Sequence, residues 1–150
     1  MKKATNKKIT ATKKKAPPKK AARKKPLPQI DGEIQQELFA GGGLSGEGAF
    51  REGQRHGPWK FYYRNGQQKA AGSYLAGQLD GPWQWWRENG QPLQHGAFEN
   101  GVQVGPWKRY YENGQLWDEG TFTSGKKVGE WKVYDKAGSL KQSKVFKPQE

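Results

Sequence analysis

The sequence predicts an all-β protein, an elongated antiparallel meander of tandem 24-residue β-hairpins preceded by a disordered basic tail. Three observations carry that expectation. Gly57-Pro58-Trp59, Gly81-Pro82-Trp83, Gly105-Pro106-Trp107 and Gly129-Glu130-Trp131 recur at a spacing of 24, and self-similarity at a fixed period is the signature of a repeat architecture. The runs between them are short, rich in Trp, Tyr and Phe, and punctuated by Gly, which favours pleated strands joined by tight turns. Finally, residues 1–30 hold 11 Lys and one Arg without an acid, whereas residues 31–150 hold 15 basic and 14 acidic side chains. Two differently built parts are therefore joined.

The tail, 1–30, has only Ile9, Leu27 and Ile30 as large aliphatics, no aromatic residue, and prolines at 17, 18, 26 and 28. Such a segment cannot bury enough apolar surface to offset its ordering entropy, and its like charges repel. Disorder is expected. Lys2, Lys3, Lys7, Lys8, Lys13, Lys14, Lys15, Lys19, Lys20, Arg23, Lys24 and Lys25 form a polyanion-binding arm whose affinity would fall with salt and read no base sequence. Nucleic acid is the first candidate, and Lys13–Lys25 resembles the lysine, alanine and proline tails of linker histones and histone-like bacterial proteins. A solubilising or targeting arm, nuclear in a eukaryote, is the alternative, and anionic lipid has less support because no amphipathic helix accompanies the lysines.

The repeat domain, 31–150, divides into a weak first unit 31–56, repeats 57–80, 81–104 and 105–128, and a decayed last unit 129–150. In the first unit Gly32-Glu33-Ile34 stands where Gly129-Glu130-Trp131 stands, with one residue inserted; terminal repeats are atypical because they cap the stack. Within a unit, Trp59 is followed by Tyr62, then Asn65-Gly66, then Gly72, Tyr74 and Gly77. Asn-Gly suits the pair of positive φ angles in a type I′ hairpin turn. A second turn, on Ala76-Gly77, Asn100-Gly101 or Ser124-Gly125, leads to the next hairpin. Equal columns then superpose, so the Trp and Phe/Tyr columns become aromatic ladders that supply the core. Trp59 and Tyr62 are three apart, which puts them on opposite faces of a regular strand; either a bulge lies between them or Trp59 belongs to the turn.

The unit Gly-x-Trp-x-x-Tyr-Tyr-x-Asn-Gly-x-Leu-x-x-x-Gly-x-Phe-x-x-Gly resembles the variant MORN repeat of bacterial proteins, over about residues 43–146 and almost position by position over 105–129. Proteins of this kind are commonly named as antitoxins of the YwqK family. The resemblance implies a sheet that binds a protein partner, such as a toxin, by surface contact. The wider family also implies membrane lipids and scaffolding as associations, and the lysine tail is not part of the pattern.

Thirteen aromatic residues fall in the repeat columns and read as framework; Phe39, Phe61, Tyr63, Trp85, Tyr111 and Trp117 do not. Read across repeats, two columns give Phe61, Trp85, Arg109, Val133 and Tyr63, Arg87, Tyr111, Asp135. Positions two apart share a strand face, so these columns predict one strip of aromatics interleaved with Arg87 and Arg109. The candidate interaction surface is therefore Phe61, Tyr63, Trp85, Arg87, Arg109, Tyr111 and Trp117. Such a strip suits a protein hot spot or the stacking of single-stranded bases. Alternatively, the arginines support the sheet by stacking on its own rings.

No catalysis, metal or cofactor is expected. The absence of Cys removes disulfides, thiolate metal sites and cysteine nucleophiles. His56 and His95 occupy different columns, and Asp118-Glu119 is a lone acidic pair, explained more simply as a charged turn or strand edge. Gly41–Gly46 and Gly120–Lys126 imitate phosphate loops, but their glycines are repeat glycines and no βαβ unit surrounds them. Without a signal-like apolar run or a span-length stretch, a soluble cytoplasmic protein is expected, nucleoid-associated or nuclear if the tail so directs.

Overall fold

A computed structural model describes residues 32–148; the expectations for segment 1–30 lie outside them. Ten strands follow one another: β1 (Gln35–Leu38), β2 (Leu44–Arg51), β3 (Gln54–Tyr62), β4 (Gln68–Leu75), β5 (Gln78–Trp86), β6 (Pro92–Glu99), β7 (Val102–Tyr110), β8 (Leu116–Thr123), β9 (Lys126–Tyr134) and β10 (Leu140–Phe146). They form a single ten-stranded sheet in sequence order, antiparallel throughout. The all-β meander that the 24-residue period predicts is the observed fold.

A one-layer sheet needs a way to bury apolar surface without a second layer. It does so by laying each Trp over a glycine of the neighbouring strand. Gly48 faces Trp59, and a Cβ built on Gly72 would lie 2.2 Å from the Trp83 ring, one on Gly96 2.1 Å from Trp107. Only glycine leaves that space. Trp59, Trp83, Trp107 and Trp131 are accordingly the large buried side chains among the described residues. Phe50, Tyr74, Phe98 and Phe122 meet them edge-on at centroid distances of 5.1–5.2 Å, the geometry that the ring quadrupoles favour. The indole N–H of Trp59, Trp83 and Trp131 donates to the carbonyls of Ala49, Ser73 and Thr121; that of Trp107 turns to Val104 instead. The Trp and Phe/Tyr columns thus interlock into one ladder rather than standing as two.

The turns correct one expectation. The paired positive φ angles of a type I′ turn fall on Glu52-Gly53, Ala76-Gly77, Asn100-Gly101 and Ser124-Gly125, for example 50° and 77° at Asn100-Gly101. At Asn65-Gly66 only the glycine has positive φ. There Gly66 N–H donates to Tyr63 O and Tyr63 N–H to Gln67 O, a three-residue loop with an αL glycine at its end. Asn65 serves differently, its Oδ1 accepting from Gln67 N–H at 2.9 Å. Asparagine is selected here as a side-chain acceptor, not for left-handed backbone.

Two further points of register are resolved. A shift between β3 and β4 does lie between Phe61 and Tyr62, but its extra residue is Lys69 on β4. Trp59 is a strand residue, and it and Tyr62 keep the opposite faces that their spacing dictates. In the first unit Gln35, not Ile34, stands in the Trp column, pairing Gly48 as Trp59 pairs Gly72. No residue is inserted: the first unit keeps the 24-residue register but lacks its Trp, and carries Glu33, Leu38 and Gly41 where the next repeat has Gly57, Tyr62 and Asn65.

Candidate functional site

Strand pairing brings one residue from each of the seven strands β3 to β9 into a row across the Trp face. In order, Phe61, Ala70, Trp85, Gln94, Arg109, Asp118 and Val133 are successive cross-strand partners. Large and small residues alternate along it. Trp59, Phe61, Trp83, Trp85 and Trp107 form a continuous stack, with interplanar angles of 23–29° and centroids 5.7–6.4 Å apart. The stack ends where Arg109 replaces an aromatic ring.

Over the first half of the row, Phe61 and Trp85 flank the methyl of Ala70, and with Phe39 and Arg55 they line an open cleft of about 410 Å³. Arg55 is the side chain that sequence reasoning missed. Its guanidinium lies 4.9 Å from the Trp59 ring centroid, 5.4 Å from Phe61 and 5.7 Å from Tyr74, and it forks onto Glu37 at 2.9 and 3.1 Å. The signal was the variability of its column, Arg55, Leu79, Gln103, Lys127, which has no aromatic to draw attention. Burial raises the pKa of the Tyr74 phenol, and the Arg55 charge opposes that shift.

The second half of the row is ionic. Arg109 donates from Nε and Nη2 to both oxygens of Asp118, the first at 2.9 Å, and these hydrogen bonds, outweighing burial, raise the arginine's pKa. Asp118 is only 4% exposed. Hence the acidic pair is neither a turn nor a sheet edge: Asp118 lies mid-strand, and Glu119 points to the other face, where it accepts from Tyr134 OH at 2.9 Å. A smaller cleft of about 240 Å³ opens here between Gln94, Gln103, Arg109 and Lys127.

The predicted strip divides. Phe61, Trp85 and Arg109 stand in the row. Tyr63, Arg87 and Tyr111 lie just past the strand ends, and each donates to a carbonyl of the next repeat: Tyr63 to Trp86 O at 2.7 Å, Arg87 to Tyr110 O at 2.9 Å, Tyr111 to Tyr134 O at 2.7 Å. These three brace one repeat to the next, a role that explains why Tyr and Arg alternate in the column: either donor reaches. Trp117 joins the two columns in the third repeat, since the Arg109 guanidinium lies 4.0 Å over its ring and Tyr111 stacks on it at 5.5 Å. It is the extra residue of the register shift between Arg109 and Tyr110, which frees its side chain from regular alternation. Lys69 holds the same place in the first repeat, 5.8 Å from the Tyr63 ring.

On the other face Tyr62 OH donates to Glu47 at 2.9 Å and His95 shares a 3.0 Å contact with Tyr110 OH. Among the described residues no three His, Cys, Asp or Glu side chains gather as a metal cluster. The arrangement offers shape, rings and fixed charges.

A family model described as the MORN repeat variant matches residues 55–75, 79–100, 103–123 and 127–147. Each match covers one hairpin, from β3–β4 to β9–β10, so the last unit counts as a full copy, while the β1–β2 hairpin falls outside. No curated protein matches the chain.

Proposed function

The chain belongs to the MORN repeat variant family, and from that premise we propose that its Trp face binds a protein partner in the manner of an antitoxin, the basic tail adding nonspecific affinity for an anionic surface. MORN repeats are generally interaction modules rather than enzymes. The observation that carries the reading is the cleft over Ala70. The Trp-on-glycine ladder already supplies the sheet's own apolar burial, yet Phe61 and Trp85 stand beside it, half-buried, around a small residue and next to a fixed guanidinium. Rings and Arg around a pocket are the composition of protein hot spots. A cytoplasmic location fits such a role. The rival reading makes the tail the main device, attached to nucleic acid, with the sheet as scaffold.

Pull-down with full-length protein tests this. We expect a partner retained by the wild type at moderate salt and lost by F61A/W85A, with affinity falling more than about 30-fold for a loss above 2 kcal/mol. Near-UV circular dichroism reports whether the sheet survives. Equal retention by F61A/W85A, or retention that depends only on tail lysines and vanishes with salt, would overturn the reading.

A further inference from the structure

The near-neutral charge of the repeat domain conceals a division. Residues 31–125 carry eight basic and 11 acidic side chains, whereas residues 126–147 carry seven Lys against Glu130 and Asp135. The last hairpin, β9–β10, is therefore a second cationic region. Its outer strand, β10, lies nine strand steps from β1, about 43 Å of sheet at roughly 4.8 Å per strand.

Its lysines are arranged around aromatic side chains. Lys127 Nζ lies 4.5 Å from the Trp131 ring centroid and 5.7 Å from Phe146, and Lys144 Nζ lies 4.9 Å from Phe146. Among the described residues neither Lys127 nor Lys144 has an acidic partner within 4.0 Å. A groove of about 900 Å³ is lined by Lys127, Val145, Phe146 and Lys147, and Lys144 reaches the same Phe146 ring. Lysines on an edge strand also discourage edge-to-edge pairing, but Lys127 is on β9, inside the edge, and Lys147 follows the strand.

We infer that this groove binds the phosphodiester backbone of a single-stranded nucleic acid, independently of the tail and of the cleft over Ala70. Two ammonium groups set against rings, with Lys147 lining the groove, are the elements of a sequence-tolerant single-strand site, in which phosphates meet cations and a base meets an aromatic side chain. A groove suits a chain-like polyanion better than a bilayer, whose flat surface would meet only the rim.

The test is the salt dependence of binding of a labelled oligothymidylate to the full chain. Each phosphate contact contributes about 0.7 to the slope of log K against log salt for single strands, so K127Q/K144Q/K147Q should flatten the slope by about 2 although the tail is intact. K127R/K144R/K147R should keep the wild-type slope, and so should K60Q on the distant β3. Should the triple Gln variant unfold, K147Q alone, outside the strands, is expected to lose about 0.7. An unchanged slope in the Gln variants, or an equal loss in the distant variant, overturns the inference. So does loss of binding only to phosphatidylserine vesicles, which would assign the groove to lipid.

Discussion

One row of the sheet is built in two chemistries. In the first half Phe61, Ala70 and Trp85 alternate large ring, small methyl and large ring; in the second, Gln94, Arg109 and Asp118 occupy the same lattice with a buried carboxylate forked by a guanidinium. The scaffold beneath does not change: Trp83 lies over Gly72 and Trp107 over Gly96 alike. The difference teaches that the Trp-on-glycine contact and the row are separable. Each repeat contacts only its neighbours, so the framework can be copied while the row beside it drifts from apolar to ionic.

Removing the shared element should break both halves equally. Trp59→Ala and Trp107→Ala are each expected to cost about 3–5 kcal/mol, read by urea denaturation. A cost below about 1 kcal/mol at either site would show that the ladder is not the framework. A smaller effect separates the halves. Asp118→Ala leaves a part-exposed Arg109 without its partner, at a cost of about 1–3 kcal/mol. Adding Arg109→Phe rebuilds the Phe61–Ala70 pair in the third repeat, and the double variant should return to within about 1 kcal/mol of the wild type, because apolar replacement of a buried ion pair is often neutral or stabilising. If the two costs simply add, the row is not interchangeable between repeats.

The framework was legible in the sequence because periodicity reports it directly: Trp, Gly and Phe columns recur, and their recurrence fixes strand order and register. The site was legible only in part. Phe61, Trp85 and Arg109 broke the pattern and do share a row, but Tyr63, Arg87 and Tyr111 proved to be donors to the next repeat's backbone, a need that no side-chain pattern announces. Arg55 drew no attention because its column, although variable, carries no aromatic residue. Asp118 was misplaced at an edge or turn since a charge in mid-strand makes sense only once Arg109 is known to face it. The type I′ turn was placed on Asn65-Gly66 for a similar reason: Asn-Gly is compatible with both turn types, and hydrogen bonding to the side chain decides.

The type I′ turns offer a finer comparison between repeats. Ala76 holds φ 48° where Asn100 holds φ 50°. Left-handed backbone is costly for alanine and much less so for asparagine. Ala76→Asn should therefore stabilise the protein by about 0.5 kcal/mol, at the low end of turn optimisation, whereas the same change at Gly66, already glycine in an αL position, should not. A loss of stability at position 76 would mean that the turns of neighbouring repeats are not equivalent.

The polar face repeats the lesson with Tyr62, Tyr110 and Tyr134, whose partners vary; they are three members of a column that carries Trp86 in the second repeat. Tyr62 donates to Glu47 and Tyr134 to Glu119, whereas Tyr110 meets His95. Burial first, then the hydrogen bond and charge of Glu47, raise the Tyr62 pKa above 10.0; for Tyr134 the hydrogen bond to Glu119 comes first. A phenol whose folded pKa exceeds its unfolded value favours the folded state below the unfolded pKa, and that contribution disappears as pH rises through the folded one. Stability should thus decline above pH 10.0. Glu47→Gln should bring part of the spectrophotometric tyrosine titration to lower pH and leave the Tyr134 component in place. An unmoved titration would mean that burial alone holds Tyr62, and that the partner of this column, unlike the composition of the row on the opposite face, has no chemical consequence.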